Sequence, residues 1–270
     1  MLRFPNCKIN LGLYVTNRRA DGYHDLETVF YPVPLCDALE IVPAEETAMH
    51  ISGKTVAGDL TDNLVWKAYQ LLKNEFPGQV KPVDIYLHKA IPMGAGMGGG
   101  SADGAFMLQL VNDFFALGMN KEQLAEKALL LGSDCPFFIY NSPQIAYGRG
   151  ERLSSVNIDL SSYSLQLVCP GVHVSTGKAF GMLTPRAADF DLELLEKTPV
   201  TDWKNCIRND FETPVFAMHP ELEAIKNELY TAGALYAAMS GSGSTVFGIF
   251  EKGKRADITG NEQYETFYFE

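Results

Sequence analysis

The chain has 270 residues, of which 46% are hydrophobic and 20% are charged. This composition is typical of one large or two small packed domains and argues against extended disorder. With 22 basic and 33 acidic residues the formal net charge is −11, so neither an extended nucleic-acid face nor docking on anionic lipid is expected. An anionic ligand would therefore have to be held by a local arrangement of the chain.

The five cysteines indicate a reduced protein. Their number is odd, their spacing is wide and no Cys-x-x-Cys occurs, which disfavours a disulfide framework or a zinc site. The first ten residues contain no apolar segment of the signal-peptide type, and no apolar run approaches the ~20 residues of a membrane span. We therefore expect a cytoplasmic protein without a membrane partner.

Alternating apolar residues predict strands along the whole chain. The predicted strands cover residues 9–13, 39–42, 83–91, 165–169, 235–239 and 245–250. Helical spacing begins at Leu64, with Asp62 or Asn63 as N-cap, and again near Ser101. A third helix has Asn120 as N-cap, Gln123 three residues on and Gly132 past its end. Two further helices are predicted near residues 210–218 and 220–232.

These strands are not separated by single crossover helices at regular spacing, which favours an α+β fold over a doubly wound sheet. A glycine-flanked arginine at residues 148–150 precedes a polar stretch. We therefore predict two domains, residues 1–150 and residues 151–270.

The most informative segment is a glycine-rich loop between the strand at 83–91 and the helix from Ser101. It reads Pro92-Met93-Gly94-Ala95-Gly96-Met97-Gly98-Gly99-Gly100-Ser101-Ala102. Glycines let a backbone approach a ligand closely, and the free N–H groups and dipole at a helix start attract phosphate oxygens. The loop predicts a phosphate site, with Ser101 able to add a hydroxyl to a phosphate or a metal ion; the alternative is a plain flexible connector.

This segment fits the two common phosphate-binding loop patterns poorly. Gly94, Gly96 and Gly99 satisfy the dinucleotide pattern G-x-G-x-x-G, but the following helix leads into another helix and not into a strand. The Walker pattern fails because no lysine follows the glycines.

A lysine and an aspartate are candidates for chemistry. Lys8 precedes the first predicted strand, and Asp134 stands at the head of the apolar run Cys135-Pro136-Phe137-Phe138. Asp134 could simply cap the turn before Pro136, or it could accept a hydroxyl proton during phosphoryl transfer. A lysine on a strand is usually solvated, but next to a buried carboxylate it would hold that group ionised.

Three blocks in order resemble the galactokinase–homoserine kinase–mevalonate kinase–phosphomevalonate kinase superfamily (GHMP kinases). They are Lys8-Ile9-Asn10-Leu11, the glycine loop from Pro92 to Ser101, and Gly241-Ser242-Gly243-Ser244. The block Arg19-Ala20-Asp21-Gly22-Tyr23-His24 is similar to the branch that phosphorylates the 2-hydroxyl of a cytidine diphosphate-linked methylerythritol in non-mevalonate isoprenoid synthesis. The segment from Gly132 to Phe138 fits that branch as well.

The resemblance implies a two-domain α+β fold: an N-terminal ATP-binding domain of the ribosomal protein S5 domain 2 type and a C-terminal ferredoxin-like substrate domain. It implies ATP as phosphate donor, with Mg²⁺. By position, Lys8 and Asp134 match the catalytic pair, and residues 92–102 match the ATP loop. Tyr23, His24, Phe180 and Asn10 match residues that contact the substrate. Ala102 departs from the pattern, where a second serine is usual, and so does Gly104, where alanine is usual.

Three alternatives stay open at this point. The first is another small-molecule kinase of the superfamily, such as a homoserine or mevalonate kinase. The second is a nucleotide-dependent oxidoreductase that uses the G-x-G-x-x-G match. The third is a non-catalytic ATP-binding regulator. The oligomeric state and the metal ligands are not indicated by the sequence.

Overall fold

The structure is a computed structural model that describes residues 1–56, 58–258 and 264–270. It divides into two compact units that interleave along the chain. The first unit comprises Met1–Lys8, Pro32–Met93 and Gly98–Ser142, and the second comprises Ile9–Tyr31, Gly94–Met97 and Pro143–Glu270. The division into residues 1–150 and 151–270 stays a prediction.

Within the described residues the strands and helices have the following bounds. The strands are β1 (Leu2–Arg3), β2 (Asn6–Arg18), β3 (His24–Cys36), β4 (Ala38–Pro43), β5 (Ala48–Gly53), β6 (Val83–Lys89), β7 (Gln144–Gly148), β8 (Arg152–Ser155), β9 (Tyr163–Cys169), β10 (Tyr236–Met239), β11 (Val246–Glu251) and β12 (Glu265–Phe269). The helices are α1 (Leu64–Glu75), α2 (Gly99–Phe114), α3 (Lys121–Leu131), α4 (Cys135–Tyr140), α5 (Thr176–Gly181), α6 (Trp203–Cys206), α7 (Glu212–Met218) and α8 (Pro220–Thr231).

The first unit contains a four-stranded sheet in the order β1-β4-β6-β5, in which only β5 and β6 run parallel. The alternation predicted for β6 is confirmed, because Val83, Ile85 and Leu87 are buried while Tyr86 and His88 are exposed. The buried residues of β6 pair with apolar residues of β4, so that one face of the sheet enters the core.

Two helices of the first unit begin at caps that the sequence predicts, whereas α2 begins at Gly99, two residues before the predicted start, and α4 was not predicted. The Asn63 side chain accepts the N–H of Val65 at the start of α1, and α3 opens with a complete capping box between Asn120 and Gln123. Gly104 is explained by the packing of α1 against α2, since a Cβ at this position would lie 2.9 Å from the Cβ of Leu64. Glycine destabilises a helix by about 1 kcal/mol relative to alanine, and here the close contact between α1 and α2 offsets that loss.

The second unit contains an antiparallel sheet in the order β10-β11-β9-β12, with α8 packed against β10 and β11. Apolar residues of α8, among them Leu222, Ile225 and Leu229, join Phe250 of β11 in one buried cluster. A further sheet has the order β2-β3-β7-β8; the start of β2 and the end of β3 belong to the first unit. The predicted α+β class is confirmed.

Two general properties bear on the sequence analysis. The structure places none of the five cysteines in a disulfide, and Cys7, Cys135 and Cys169 are buried. Among the residues that the structure describes, no helix has the length and apolar character needed to cross a membrane.

Candidate active site

The glycine loop leaves β6 and ends in the first turn of α2, as predicted. Gly98 is the N-cap of α2 and has a left-handed backbone with φ of 70°, and no described side chain caps the helix start. The amides of the first turn therefore have no side-chain acceptor, and the positive end of the helix dipole lies at the loop. This is the local arrangement that an acidic protein needs to hold phosphate.

Two features favour glycine at position 98: the left-handed backbone and the close packing of neighbouring side chains. A Cβ built on Gly98 would lie 3.0 Å from Cζ of Phe138 and 3.2 Å from Cε of Lys8. The stem of Lys8 thus runs directly along the loop, and the absence of a side chain at residue 98 makes that contact possible.

Lys8 and Asp134 form the pair that the sequence analysis proposed. The Nζ of Lys8 lies 3.9 Å from Oδ2 of Asp134, with side-chain exposures of 5% and 36%. Burial lowers the pKa of the Lys8 ammonium, and the charge of Asp134 opposes this shift. The pair therefore combines a buried cation with a carboxylate that solvent, or a substrate, can reach.

The capping interpretation of Asp134 receives no support from the geometry. Asp134 is the N-cap residue of α4, but its side chain forms no capping hydrogen bond. Next to it, burial raises the pKa of the Cys135 thiol to about 12, opposed by a hydrogen bond with Ser101. The Ser101 hydroxyl at the start of α2 thus lies beside the residue that follows Asp134.

A buried charge cluster joins the two ends of the loop, and the sequence analysis missed it. Lys89, the last residue of β6, forms ion pairs with Asp37 and with Asp103, the fifth residue of α2. Asp37 also accepts the N–H groups of Ala90 and Ile91 at 2.6 and 2.9 Å. The chain on either side of the loop is therefore tied to one cluster.

The carboxyl of Asp103 has unusual electrostatics. Burial raises the pKa of Asp103 to about 8, with the charge of Asp37 adding to the shift and Lys89 opposing it. Its Oδ1 is buried without a described hydrogen-bond partner. The position of Asp103 two residues after Ser101 was a sequence signal for a role near the loop, but nothing in the sequence pointed to Asp37.

A cavity of about 260 Å³ opens beside this cluster within the first unit. It is lined by Met93 and Gly100 of the loop, by Lys89 and Asp103, by Asn63 and Leu64 at the start of α1, and by Val56, Asp59 and Asp62. Position 100 itself is open, since a Cβ there would meet no atom within 4 Å. The cavity therefore adjoins the first turn of α2.

Of the residues matched to substrate contacts, two stack on each other. The rings of His24 and Phe180 are stacked with centroids 4.9 Å apart and an interplanar angle of 16°. Phe180 also makes an edge contact with Phe211. Both residues were expected at the substrate site, but no sequence signal indicated that their rings are in contact.

Tyr23 lies in a turn that an ion network holds in place. Arg19 pairs with both Asp21 and Asp25, at 2.9 and 3.0 Å. The Asp21 carboxylate accepts the N–H of Tyr23 at 3.1 Å. The Tyr23 ring is 58% exposed and contacts the guanidinium of Arg149 at 5.0 Å.

Asn10 is buried on β2 and linked to the glycine-rich turn at residues 240–244, between β10 and β11. Its side chain donates to Thr28 at 2.9 Å and accepts from Ser240 at 3.4 Å. The Ser240 hydroxyl also donates to the carbonyl of Gly96 at 2.9 Å. A Cβ on Gly96 would lie 2.1 Å from the Ser240 carbonyl oxygen, so the turn and this part of the loop pack backbone to backbone.

Comparison with known families defines the class of protein. Residues 63–142 match the family model "GHMP kinases N terminal domain", and residues 191–262 match "GHMP kinases C terminal". The chain belongs to the GHMP kinases. It is an ATP-dependent kinase with a small-molecule substrate, and the resemblance drawn from the sequence motifs is confirmed.

Relatives within this family point to one branch. A protein of Bacteroides fragilis named 4-diphosphocytidyl-2-C-methyl-D-erythritol kinase is 54% identical over 93% of this chain and 92% of its own length. A crystal structure of 4-(cytidine 5'-diphospho)-2C-methyl-D-erythritol kinase matches with a TM-score of 0.80 and 33% identity, covering 92% of this chain and 90% of that one. A homoserine kinase structure from Cytophaga hutchinsonii, at 15% identity and a TM-score of 0.70 over 97% and 93% of the two chains, shares the fold.

Proposed function

We propose that this protein transfers the γ-phosphoryl group of ATP to the 2-hydroxyl of 4-diphosphocytidyl-2-C-methyl-D-erythritol, in the non-mevalonate isoprenoid precursor pathway. The observation that carries the chemistry is the Lys8–Asp134 pair, 3.9 Å apart, with the Lys8 stem against Gly98 at the start of α2. The acceptor is assigned from the relatives, whose identity of 54% extends over nearly the whole chain. The family match favours a kinase over the oxidoreductase alternative.

ATP is held by its phosphates in this proposal. The amides of residues 98–101 and the dipole of α2 bind the phosphate oxygens, and Ser101 contributes its hydroxyl. Phosphoryl transfer depends on positioning and on neutralising charge more than on covalent help from the protein. The cavity beside Gly100 and Asp103 is our candidate for the nucleoside of ATP, because both ends of the loop contribute to its lining.

Asp134 is the proposed base. As the 2-hydroxyl oxygen attacks the γ-phosphorus, the bond to the β-phosphate oxygen breaks, ADP leaves and Asp134 accepts the hydroxyl proton. The buried ammonium of Lys8 lies 3.9 Å from the Asp134 carboxylate and offsets negative charge near the reacting oxygen. The partial exposure of Asp134 leaves its carboxylate accessible to the acceptor.

Mg²⁺ is part of the proposal as the companion of ATP. Among the described residues no group of three or more His, Cys, Asp or Glu side chains is placed to hold a metal ion. This fits an ion that is bound chiefly by the phosphates and water, with one or two protein oxygens at most. The Ser101 hydroxyl and the Asp134 carboxylate are the candidates, and the ion would neutralise phosphate charge.

The cytidine end of the substrate is assigned to the second unit. Tyr23, His24 and Phe180 supply aromatic surface for the cytosine ring, and stacking of this kind contributes roughly 1–3 kcal/mol per contact. Asn10 is proposed to contact the substrate as well, although its amide already bonds to Thr28. Five cysteines without a disulfide fit a reducing, cytoplasmic setting.

A substrate panel tests the proposal. Purified protein is assayed for ATP consumption with 4-diphosphocytidyl-2-C-methyl-D-erythritol, mevalonate and homoserine, and the product is examined by phosphorus NMR. We expect consumption with the first compound alone and a new phosphomonoester at its 2-position. Turnover of mevalonate or homoserine in preference to it would contradict the assignment.

A further inference from the structure

Arg149 lies in the turn between β7 and β8, next to the residues assigned to the cytidine end of the substrate. Its backbone N–H donates to Oε2 of Glu151 at 2.6 Å, and Gly150 donates to the carbonyl of Tyr147 at 3.1 Å. The turn is therefore fixed by its own hydrogen bonds, and the Arg149 side chain extends from a defined backbone.

The guanidinium of Arg149 stacks over the Tyr23 ring, with Cζ 5.0 Å from the ring centroid. In the part of the chain that the structure describes, this guanidinium has no hydrogen bond and no carboxylate within 4.0 Å. Arg19 is a contrast in the same region, because it is tied to both Asp21 and Asp25. Arg149 thus keeps its planar set of N–H donors available to a ligand while stacking fixes its orientation.

The charge of Arg149 acts on Asp21, which lies in the same turn as Tyr23. The pKa of Asp21 is lowered first by its hydrogen bond with Arg19, then by the Tyr23 amide, and also by the charges of Arg19 and Arg149. Since the protein has a net charge of −11, the overall field repels an anionic ligand and a local cation is needed.

We propose that Arg149 binds the diphosphate of the substrate and thereby selects a nucleoside diphosphate over a nucleoside. This rests on the proposed function, whose substrate joins cytidine to the acceptor alcohol through a diphosphate. Arginine suits this role because its fork of N–H groups matches two phosphate oxygens at once. With cytosine on the aromatic residues, the guanidinium over the Tyr23 ring lies beside the proposed base site.

The competing explanation is that Arg149 only supports the Tyr23 ring. Inhibition constants separate the two roles. Cytidine, CMP and CDP are tested as competitive inhibitors of turnover for wild type, Arg149→Met and Arg149→Lys. Arg152→Met, which removes an equal charge from the same hairpin, is the control.

We expect Arg149→Met to weaken CDP inhibition about tenfold or more, since a charge-assisted pair is lost, and to leave cytidine inhibition within about twofold. Arg149→Lys should recover part of the loss, and Arg152→Met should follow wild type. KM for the substrate should rise while kcat changes little, because the diphosphate does not react and its contact with Arg149 is made equally in the ground state and the transition state.

Equal weakening of cytidine and CDP would show ring support alone and overturn the proposal, as would unchanged CDP inhibition in Arg149→Met. Failure of the proposed function gives a different result: wild type itself would not phosphorylate the cytidine substrate. The two failures are therefore distinguishable.

Discussion

Lys8 and Asp134 differ sharply in burial although their charged atoms lie 3.9 Å apart. The lysine is enclosed, and burial lowers its pKa, whereas a third of the aspartate side chain remains exposed. The buried ammonium therefore lies beside a carboxylate that solvent can reach. In the proposed function this carboxylate is the base for the incoming hydroxyl.

Replacing Asp134 by asparagine should separate catalysis from binding. Asparagine keeps the size of the side chain but cannot take the proton, so single-turnover phosphoryl transfer should fall by about 100-fold or more. ATP affinity should stay within a few-fold of wild type. Quench-flow measurement with radiolabelled ATP gives the rate. Asp113→Asn, which removes another partly exposed carboxylate of the first unit, is the control; a near-wild-type rate for Asp134→Asn would remove the base from the mechanism.

Gly98 and Gly100 should respond oppositely to alanine. Gly98→Ala places a Cβ in a left-handed backbone and against Phe138 and Lys8, which should cost roughly 1–2 kcal/mol of unfolding free energy and weaken ATP binding. Gly100→Ala meets no atom within 4 Å and should be neutral or stabilise α2 by up to about 1 kcal/mol. Urea unfolding and nucleotide titration measure both. If Gly98→Ala matched Gly100→Ala in stability and affinity, the close packing at residue 98 would be refuted.

Removing the Tyr23 ring should act on substrate binding. For Tyr23→Ala we expect KM for the cytidine substrate to rise about tenfold, in keeping with the loss of one stacking contact, while KM for ATP is unchanged. Tyr86→Ala removes an exposed tyrosine from β6 and serves as the control. Steady-state kinetics with each substrate varied in turn decides; an unchanged KM in Tyr23→Ala would take the ring out of the binding site.

The buried Asp103 should make stability depend on pH. Because its pKa is about 8 in the folded protein and near 3.8 in the unfolded chain, the folded state holds a proton that the unfolded state has released between these values. Its contribution is therefore complete below about pH 4 and declines as pH rises to about 8, by up to about 1.4 kcal/mol per pH unit. Asp103→Asn should lack this decline.

Urea unfolding of wild type and Asp103→Asn at pH 5, 6, 7 and 8 measures the difference. Other titrating groups contribute to both proteins and largely cancel. A difference in unfolding free energy that stays constant over this range would mean that the carboxyl is ionised throughout.

Local sequence signals predicted much of the fold. Three confirmed predictions are the cap at Asn63, the capping box at Asn120 and the alternation in β6. Each of these features involves only residues that lie a few positions apart in the sequence. The position of the glycine loop between β6 and α2 followed in the same way. Such features depend on neighbours along the chain, which a sequence displays directly.

Contacts between residues that are far apart in the sequence were not predicted. A lysine on a strand is usually solvated, yet Lys8 and Asn10 are buried on β2 together with the apolar residues of that strand. Lys89 and Asp37 are 52 positions apart, and only the fold brings them together. The stack of His24 on Phe180 likewise joins segments with no sequence signal for contact.

The most direct measurement is a crystal structure with a non-hydrolysable ATP analogue and 4-diphosphocytidyl-2-C-methyl-D-erythritol bound together. The account predicts the γ-phosphate on the amides of residues 98–101 and the 2-hydroxyl within about 2.6–3.2 Å of the Asp134 carboxylate. A triphosphate bound away from the start of α2, or an acceptor hydroxyl out of reach of Asp134, would contradict it.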